Sequence, residues 1–227
     1  MSKLLSLLQL SDPALPIGSF SHSAGLETYV QFGIVNNKET AEQFITQQLS
    51  QNIFYTDAAF VSLAFNAAME KDVKALVQLN EECTAVKLPQ QIRQASLKMG
   101  SRLSKLFSSL CEDPLAKEFI SALDENKDSV HYSIAFGLFA FACNVSKIEM
   151  LTGFYYNTAA GMVTNCVKLI PLGQKDGQAI LFSLHSLIDD LTNKSLMPEK
   201  ELIGFCNAGF DIRCIQHERL YSRLYMS

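Results

Sequence analysis

Few residue clusters in this chain have the types and spacing that chemistry demands. The run Gly18-Ser19-Phe20-Ser21-His22 sets a serine where a nucleophile elbow would have one. An elbow needs a strand before the serine and a glycine behind it. Here Pro13 and Pro16 come before, and His22 stands in the glycine's place. Ser19 and Ser21 therefore read as capping hydroxyls at a helix start. Cys214 and His217 lie three apart, which on a helix puts both on one face. They are weak candidates for metal ligation, because two ligands do not close a soft-metal site. His185 and Asp189 have the spacing of a surface pair. His131-Tyr132 precedes an apolar helix and reads as capping or packing. No Walker-type phosphate loop, zinc-protease motif, dinucleotide fingerprint or paired carboxylates occur. The expectation is a chain with no catalytic residues and no tightly bound cofactor.

Two stretches carry more than packing requires. Leu15 to Glu27 combines proline, glycines, hydroxyls and an aromatic. His217 to Ser227 mixes Tyr221, Tyr225, Arg219 and Arg223, side chains enriched at interface hot spots. A terminus ordinarily frays unless something pins it, so this one is expected to dock.

The elements that position these stretches follow from helical periodicity. Leu4 to Leu10 predicts a first short helix, and Pro13 and Pro16 forbid its continuation. A helix is expected to restart near Ser19 or Ser21 and stop at Gly33. Asn37 or Thr40 caps the next, with Ala41, Phe44, Ile45 and Leu49 on one face. Helices over 54–69 and 73–86 follow, then one opening at Leu88-Pro89. Pro114 restarts the chain, and 124–129 is a polar connector. Apolar helices are expected over 132–144 and 146–169, a turn at Pro171 and Gly173, and a stripe from Ile180 to Leu191. A short helix from Leu202 to Cys206 then leads into a tail over 207–227. No polar–apolar alternation is sustained, so no strands are predicted. The expectation is all-α: one domain, residues 1–227, a helical bundle of roughly ten helices. Its core is expected to hold Phe44, Leu49, Phe60, Leu63, Phe136, Phe139, Leu181, Leu184 and Ile188.

Bulk properties narrow the class. The chain has 227 residues, 48% hydrophobic and only 19% charged. So little charge points to apolar surface covered by a partner. A net charge of -4 without a basic run argues against nucleic acid. Six scattered cysteines without a CxxC suit a reduced, cytoplasmic chain. The Leu-rich start, interrupted by Gln9, Ser11 and Asp12, is not read as a signal peptide, and no membrane span is expected.

The blocks Leu8 to Asp12 running into Leu15 to Glu27, Asn165 to Gln174 (NCVKLIPLGQ) and His217 to Ser227 resemble the UreF family of urease accessory proteins. Ile92-Arg93-Gln94 and His131-Tyr132 add weaker support. The likeness spans nearly the whole chain. It implies an all-α homodimer without established catalysis. The implied partners are the accessory protein UreD (also called UreH), the GTPase UreG and apo-urease, with nickel handled by the complex. It implies that Glu27 and Lys168 lie on the surface linked to UreG. It further implies that Phe20 and Arg223 pack the C-terminal tail, which orders when UreD binds. His217, Tyr221, Leu224 and Tyr225 belong to the same UreD-side group. The chain departs from the family near Ala208, where a proline is expected, and near Arg213 and Cys214, where small residues are. An alternative function is regulation of GTP hydrolysis by UreG. Its candidate arginine fingers are Arg93, Arg102, Arg213, Arg219 and Arg223.

Overall fold

The computed structural model describes residues 2–19, 22–23, 25–126, 128–205, 208–217, 220 and 224–225. Among them are twelve α-helices and no strands: α1 (Lys3–Leu10), α2 (Leu26–Gln31), α3 (Lys38–Gln47), α4 (Ala59–Met69), α5 (Val73–Val86), α6 (Gln90–Leu110), α7 (Pro114–Asn126), α8 (Tyr132–Ala142), α9 (Lys147–Leu169), α10 (Gln174–Ser183), α11 (His185–Ser195) and α12 (Ala208–His217). The all-α expectation holds. A π-helical stretch, Gln48–Ala58, joins α3 to α4 as one rod. Local chemistry explains many of the boundaries. The Asn37 side chain accepts from the Thr40 amide, and Thr40 reciprocates, closing a capping box on α3. Asp72 caps α5. Ser146 and Glu149 form a second capping box on α9.

Helix α8 is the centre. Its sequence is apolar on all sides, and every residue from Ser133 to Ala140 is buried against α4, α6 and α9. Close approach requires glycine at two places. A Cβ on Gly137 would sit 2.5 Å from the Val61 carbonyl oxygen, and one on Gly100 would sit 2.2 Å from that of Val130. The obstacles are backbone, which cannot rotate away. Gly100→Ala is expected to destabilise the chain by about 1–3 kcal/mol through overpacking, despite alanine's better helix propensity. A thermal melt matching wild type would contradict this packing.

Buried polar groups tie the helices together. The His131 amide donates to Asn80 Oδ1 at 2.8 Å, and its ring contacts Ser96 Oγ at 3.0 Å and Thr84 Oγ1 at 2.9 Å. Burial first, then the positive Lys87, pushes the ring's pKa down to about 3. His131 is thus a neutral, fully bonded core residue. Nearby, Lys87 Nζ donates to both Asp57 oxygens at 2.9 Å, and Ser133 Oγ donates to Asp57 Oδ1 at 2.6 Å. This buried pair ties the π-helical stretch to the end of α5 and the start of α8.

Some expectations are corrected. Leu63 is half-buried at a surface groove, while the other eight expected core residues are buried. Of the restart expected near Ser19 or Ser21, Ser19 is in 3-10 conformation and Ser21 lies outside the described residues, while α2 itself begins at Leu26. Gly18 and Gly25 have positive φ, a conformation that interrupts a right-handed helix at each of those two residues. The stripe from Ile180 to Leu191 is divided at Leu184 into α10 and α11. The short helix expected from Leu202 is a 3-10 turn, Lys200–Leu202. The stretch from Asn207 onward, expected as tail, contains α12. No described helix is long and apolar enough to cross a membrane.

Candidate functional site

The two unusual stretches of the sequence meet. Gly25, with φ 79°, starts α2 in a left-handed conformation, and its missing side chain leaves room for α12. A Cβ there would lie 2.8 Å from Cys214 Sγ. Thr28 Oγ1 donates to the Arg213 carbonyl at 3.0 Å, and the Arg213 guanidinium lies 4.8 Å from the Phe32 ring centroid. These contacts seat α12 on α2.

Glu27 then becomes the hub. Its Oε2 accepts from His217 Nε2 at 2.9 Å and from the Tyr225 amide at 3.3 Å, and its Oε1 accepts from the Leu224 amide at 2.6 Å. The other ring nitrogen of His217 faces Gln91 Oε1 of α6 at 3.2 Å. One carboxylate thus gathers residues about two hundred positions apart in the chain. Its place in the first turn of α2 also suits a negative charge. Burial pushes the Glu27 carboxyl up. The Leu224 amide, the His217 ring and the Tyr225 amide outweigh it, so the net pKa lies below its ordinary 4.5. Tyr225 is buried and its hydroxyl has no hydrogen-bond partner among the described residues, whereas Leu224 is 68% exposed. The amides of Leu224 and Tyr225 are held while the Leu224 side chain is displayed.

This geometry corrects one implied placement. Glu27 is 5% exposed and faces inward onto its own chain's terminus, so it is not an open surface charge. Lys168, in the last turn of α9, is exposed. Among the described residues no hydrogen bond or ion pair joins it to the Glu27 cluster. The same helix reaches the N-terminal stretch through Asn165 Nδ2, which donates to the His22 carbonyl at 2.9 Å. The structure therefore brings Glu27, His217, Leu224 and Tyr225 together. Phe20, Tyr221 and Arg223 lie outside the described residues. As for Cys214 and His217, both ring nitrogens of His217 are engaged, and the Cys214 thiol is buried against Gly25, its pKa pushed up by burial. Neither offers an open ligand position. No group of three or more described His, Cys, Asp or Glu residues is placed to hold a metal.

The expectation that the tail is pinned only by a partner changes in part. Residues 208–217 form a helix on α2 and α6, and the Leu224 and Tyr225 amides are held within the chain. Sequence reasoning missed the Asp57–Lys87 pair entirely. It borders a half-open pocket of about 250 Å³ whose walls include Asn52, Asn157, Asn165 and His22.

Acid titration reads both buried carboxylates. Burial acts upward on Asp57, and Lys87, Ser133 and Thr56 outweigh it, leaving its pKa below the ordinary 3.8. Groups with depressed folded values contribute their full stability above the unfolded pKa and lose it as pH falls through the folded one. The melting temperature is expected to be flat from pH 7 to about 5 and to fall steeply below about 4 as these two groups protonate. In Glu27→Gln the decline should be shallower. An identical acid profile in that variant would count against the hub.

Fold and site together define an all-α protein whose distinctive feature is the junction of α2, α12 and the Leu224 and Tyr225 amides, held by buried hydrogen bonds to Glu27. The family model for UreF matches residues 35–185. A urease accessory protein UreF of Actinobacillus pleuropneumoniae serotype 5b (strain L20) is 46% identical over 227 residues, covering all of both chains. That of Haemophilus influenzae (strain ATCC 51907 / DSM 11121 / KW20 / Rd) is 43% identical, over all of this chain and 97% of its own. That of Bacillus sp. (strain TB-90) is 34% identical over the full length of both. The chain belongs to the UreF family.

Proposed function

We propose that this protein serves urease maturation as a non-catalytic scaffold. In this reading it works in the cytoplasm as a homodimer. It bridges the accessory protein UreD (UreH) and the GTPase UreG on apo-urease, and nickel is the cargo of the assembled complex. The observation that carries the reading is the Glu27 junction. It spends a buried carboxylate on fixing a chain end, which a partner can use as a preformed docking element. Exposed Leu4 and Leu8 on α1, bordering an open apolar groove with Ile148 and Tyr156, support a life in an assembly.

The alternative, an arginine finger acting on the GTPase, has less support. Arg93 Nη1 donates to the Lys87 carbonyl at 2.9 Å and Arg102 Nη1 to that of Ile17 at 3.1 Å, while Arg213 stacks on Phe32. All three guanidinium groups are committed within the chain. Arg219 and Arg223 lie outside the described residues.

Lys168 provides the test of the GTPase side. Lys168→Glu changes an exposed side chain, so the melt should stay within about 1 °C of wild type. Capture of UreG by a complex of this chain with UreD should weaken about tenfold or more. Unchanged capture would remove Lys168 from the interface, and failure of the wild-type chain to co-purify with UreD and UreG would reject the scaffold itself.

A further inference from the structure

The cysteines look scattered in sequence, but the fold pairs two of them. Cys111 immediately follows α6 and Cys143 immediately follows α8, and their sulfurs lie 3.6 Å apart. The Cys143 thiol donates to Cys111 Sγ, and the Cys111 thiol donates to the Ala142 carbonyl at 3.4 Å. Both are free and half-buried, within reach of small solutes, whereas Cys83, Cys166 and Cys214 are buried in the core. The Phe107 and Phe139 rings, 5.8 Å apart, hold the last turns of α6 and α8 side by side. Beyond those turns the backbone is no longer helical: Cys111 is extended, and Asn144 has a positive φ of 58°. Closing the sulfurs to the roughly 2.05 Å of a disulfide requires adjustment only at two helix ends, not in the core.

We propose that Cys111 and Cys143 are a modification site: a dithiol that a low-molecular-weight disulfide such as oxidised glutathione converts reversibly into an intramolecular disulfide. Cys111 is the hydrogen-bond acceptor of the pair and Cys143 the donor, so Cys111 is assigned as the attacking group and Cys143 as the resolving one. Its thiolate attacks one sulfur of oxidised glutathione. A Cys111–glutathione mixed disulfide forms, and one glutathione thiolate leaves, taking up the proton that Cys111 lost. The Cys143 thiolate then attacks the Cys111 sulfur and displaces the second glutathione, which takes up the Cys143 proton. Two electrons pass from the protein to the reagent, giving one protein disulfide and two reduced glutathiones. Burial, and then Cys111 itself, pushes the Cys143 thiol up to about 12. The second of these causes weakens once Cys111 is capped, so the mixed disulfide favours its own resolution. The product clamps the end of α6 to the end of α8 and closes a loop containing α7 and α8.

The test incubates the reduced full-length chain with oxidised glutathione at pH 8, followed by peptide mapping and thermal melts. The expected product is a single Cys111–Cys143 crosslink. Its melting temperature should be about 5–10 °C above that of the reduced chain, and a reductant should reverse it. Cys143→Ser should instead accumulate one glutathione adduct on Cys111. Should that variant not fold, the order of alkylation in the native wild type serves in its place, with Cys111 and Cys143 expected to react before Cys83, Cys166 and Cys214. Full recovery of free thiols, a stable adduct without closure, or a disulfide through any other cysteine would overturn the proposal.

Discussion

Glu27→Ala is expected to free the C-terminal segment while leaving the helical bundle assembled. Three N–H donors, from His217, Leu224 and Tyr225, lose their acceptor at once, and a hydrogen bond to a charged group is worth about 1.5–3 kcal/mol. The three are coupled and do not add. A loss of about 3 kcal/mol of local stability is a reasonable scale, because the remaining partners are left buried and unpaired. Contacts between α12 and α2 that do not pass through Glu27, such as Thr28 to Arg213, should hold residues 208–217 in place. Release is therefore confined to the chain beyond His217. Hydrogen exchange at the Leu224 and Tyr225 amides should quicken by about 100-fold, the factor that corresponds to roughly 2.7 kcal/mol. Glu27→Gln keeps one neutral acceptor and should fall between the two. Glu27→Lys should be worse than alanine, since it buries a cation facing three donors. Unchanged protection of both amides in Glu27→Ala would refute the hub.

The largest global effect is expected at the buried ion pair. Asp57→Ala strands Lys87, whose side chain is 6% exposed and whose ammonium donates to both oxygens of that carboxylate. Removing one partner of a buried pair typically costs about 3–5 kcal/mol. For a chain of this size the melting temperature should fall by about 10 °C or more. Removing both charges is a different experiment. Asp57→Leu combined with Lys87→Met replaces the pair by apolar side chains of similar volume and should recover most of the loss. If the double variant melts no higher than Asp57→Ala, the cost comes from lost packing rather than from an unpaired charge.

The helices were legible because their signals are local. Asn37, Asp72 and Ser146 cap where a capping residue should, and Pro114 opens a helix where proline is tolerated. The junction was half legible. Leu15 to Glu27 and the tail stood out by composition, yet nothing in either shows that one carboxylate of the first holds two amides of the second. Backbone amides carry no sequence signature. Glu27 sits beside apolar Leu26 at a helix start, where an exposed acidic residue is the ordinary expectation. Asp57 and Lys87 were invisible for a related reason. Each sits among apolar residues as a single charge that periodicity assigns to a solvated face, and only the packing of α8 against both places them in contact. Cys111 and Cys143 likewise have no motif spacing. They meet because α6 and α8 end at the same level. Gly25 is the exception that a sharper reading could have used, since a glycine immediately before an apolar-acidic pair marks a left-handed helix entry.

The most direct test of the scaffold is the nickel bound to urease matured with the full set of accessory proteins. Three conditions are compared: the wild-type chain, Glu27→Ala and no chain at all, with melts confirming that the variant is folded. A scaffold whose docked terminus recruits its partners predicts full nickel loading with wild type, background loading without the chain, and near-background loading with Glu27→Ala. Full loading without the chain, or with a folded Glu27→Ala, would contradict it.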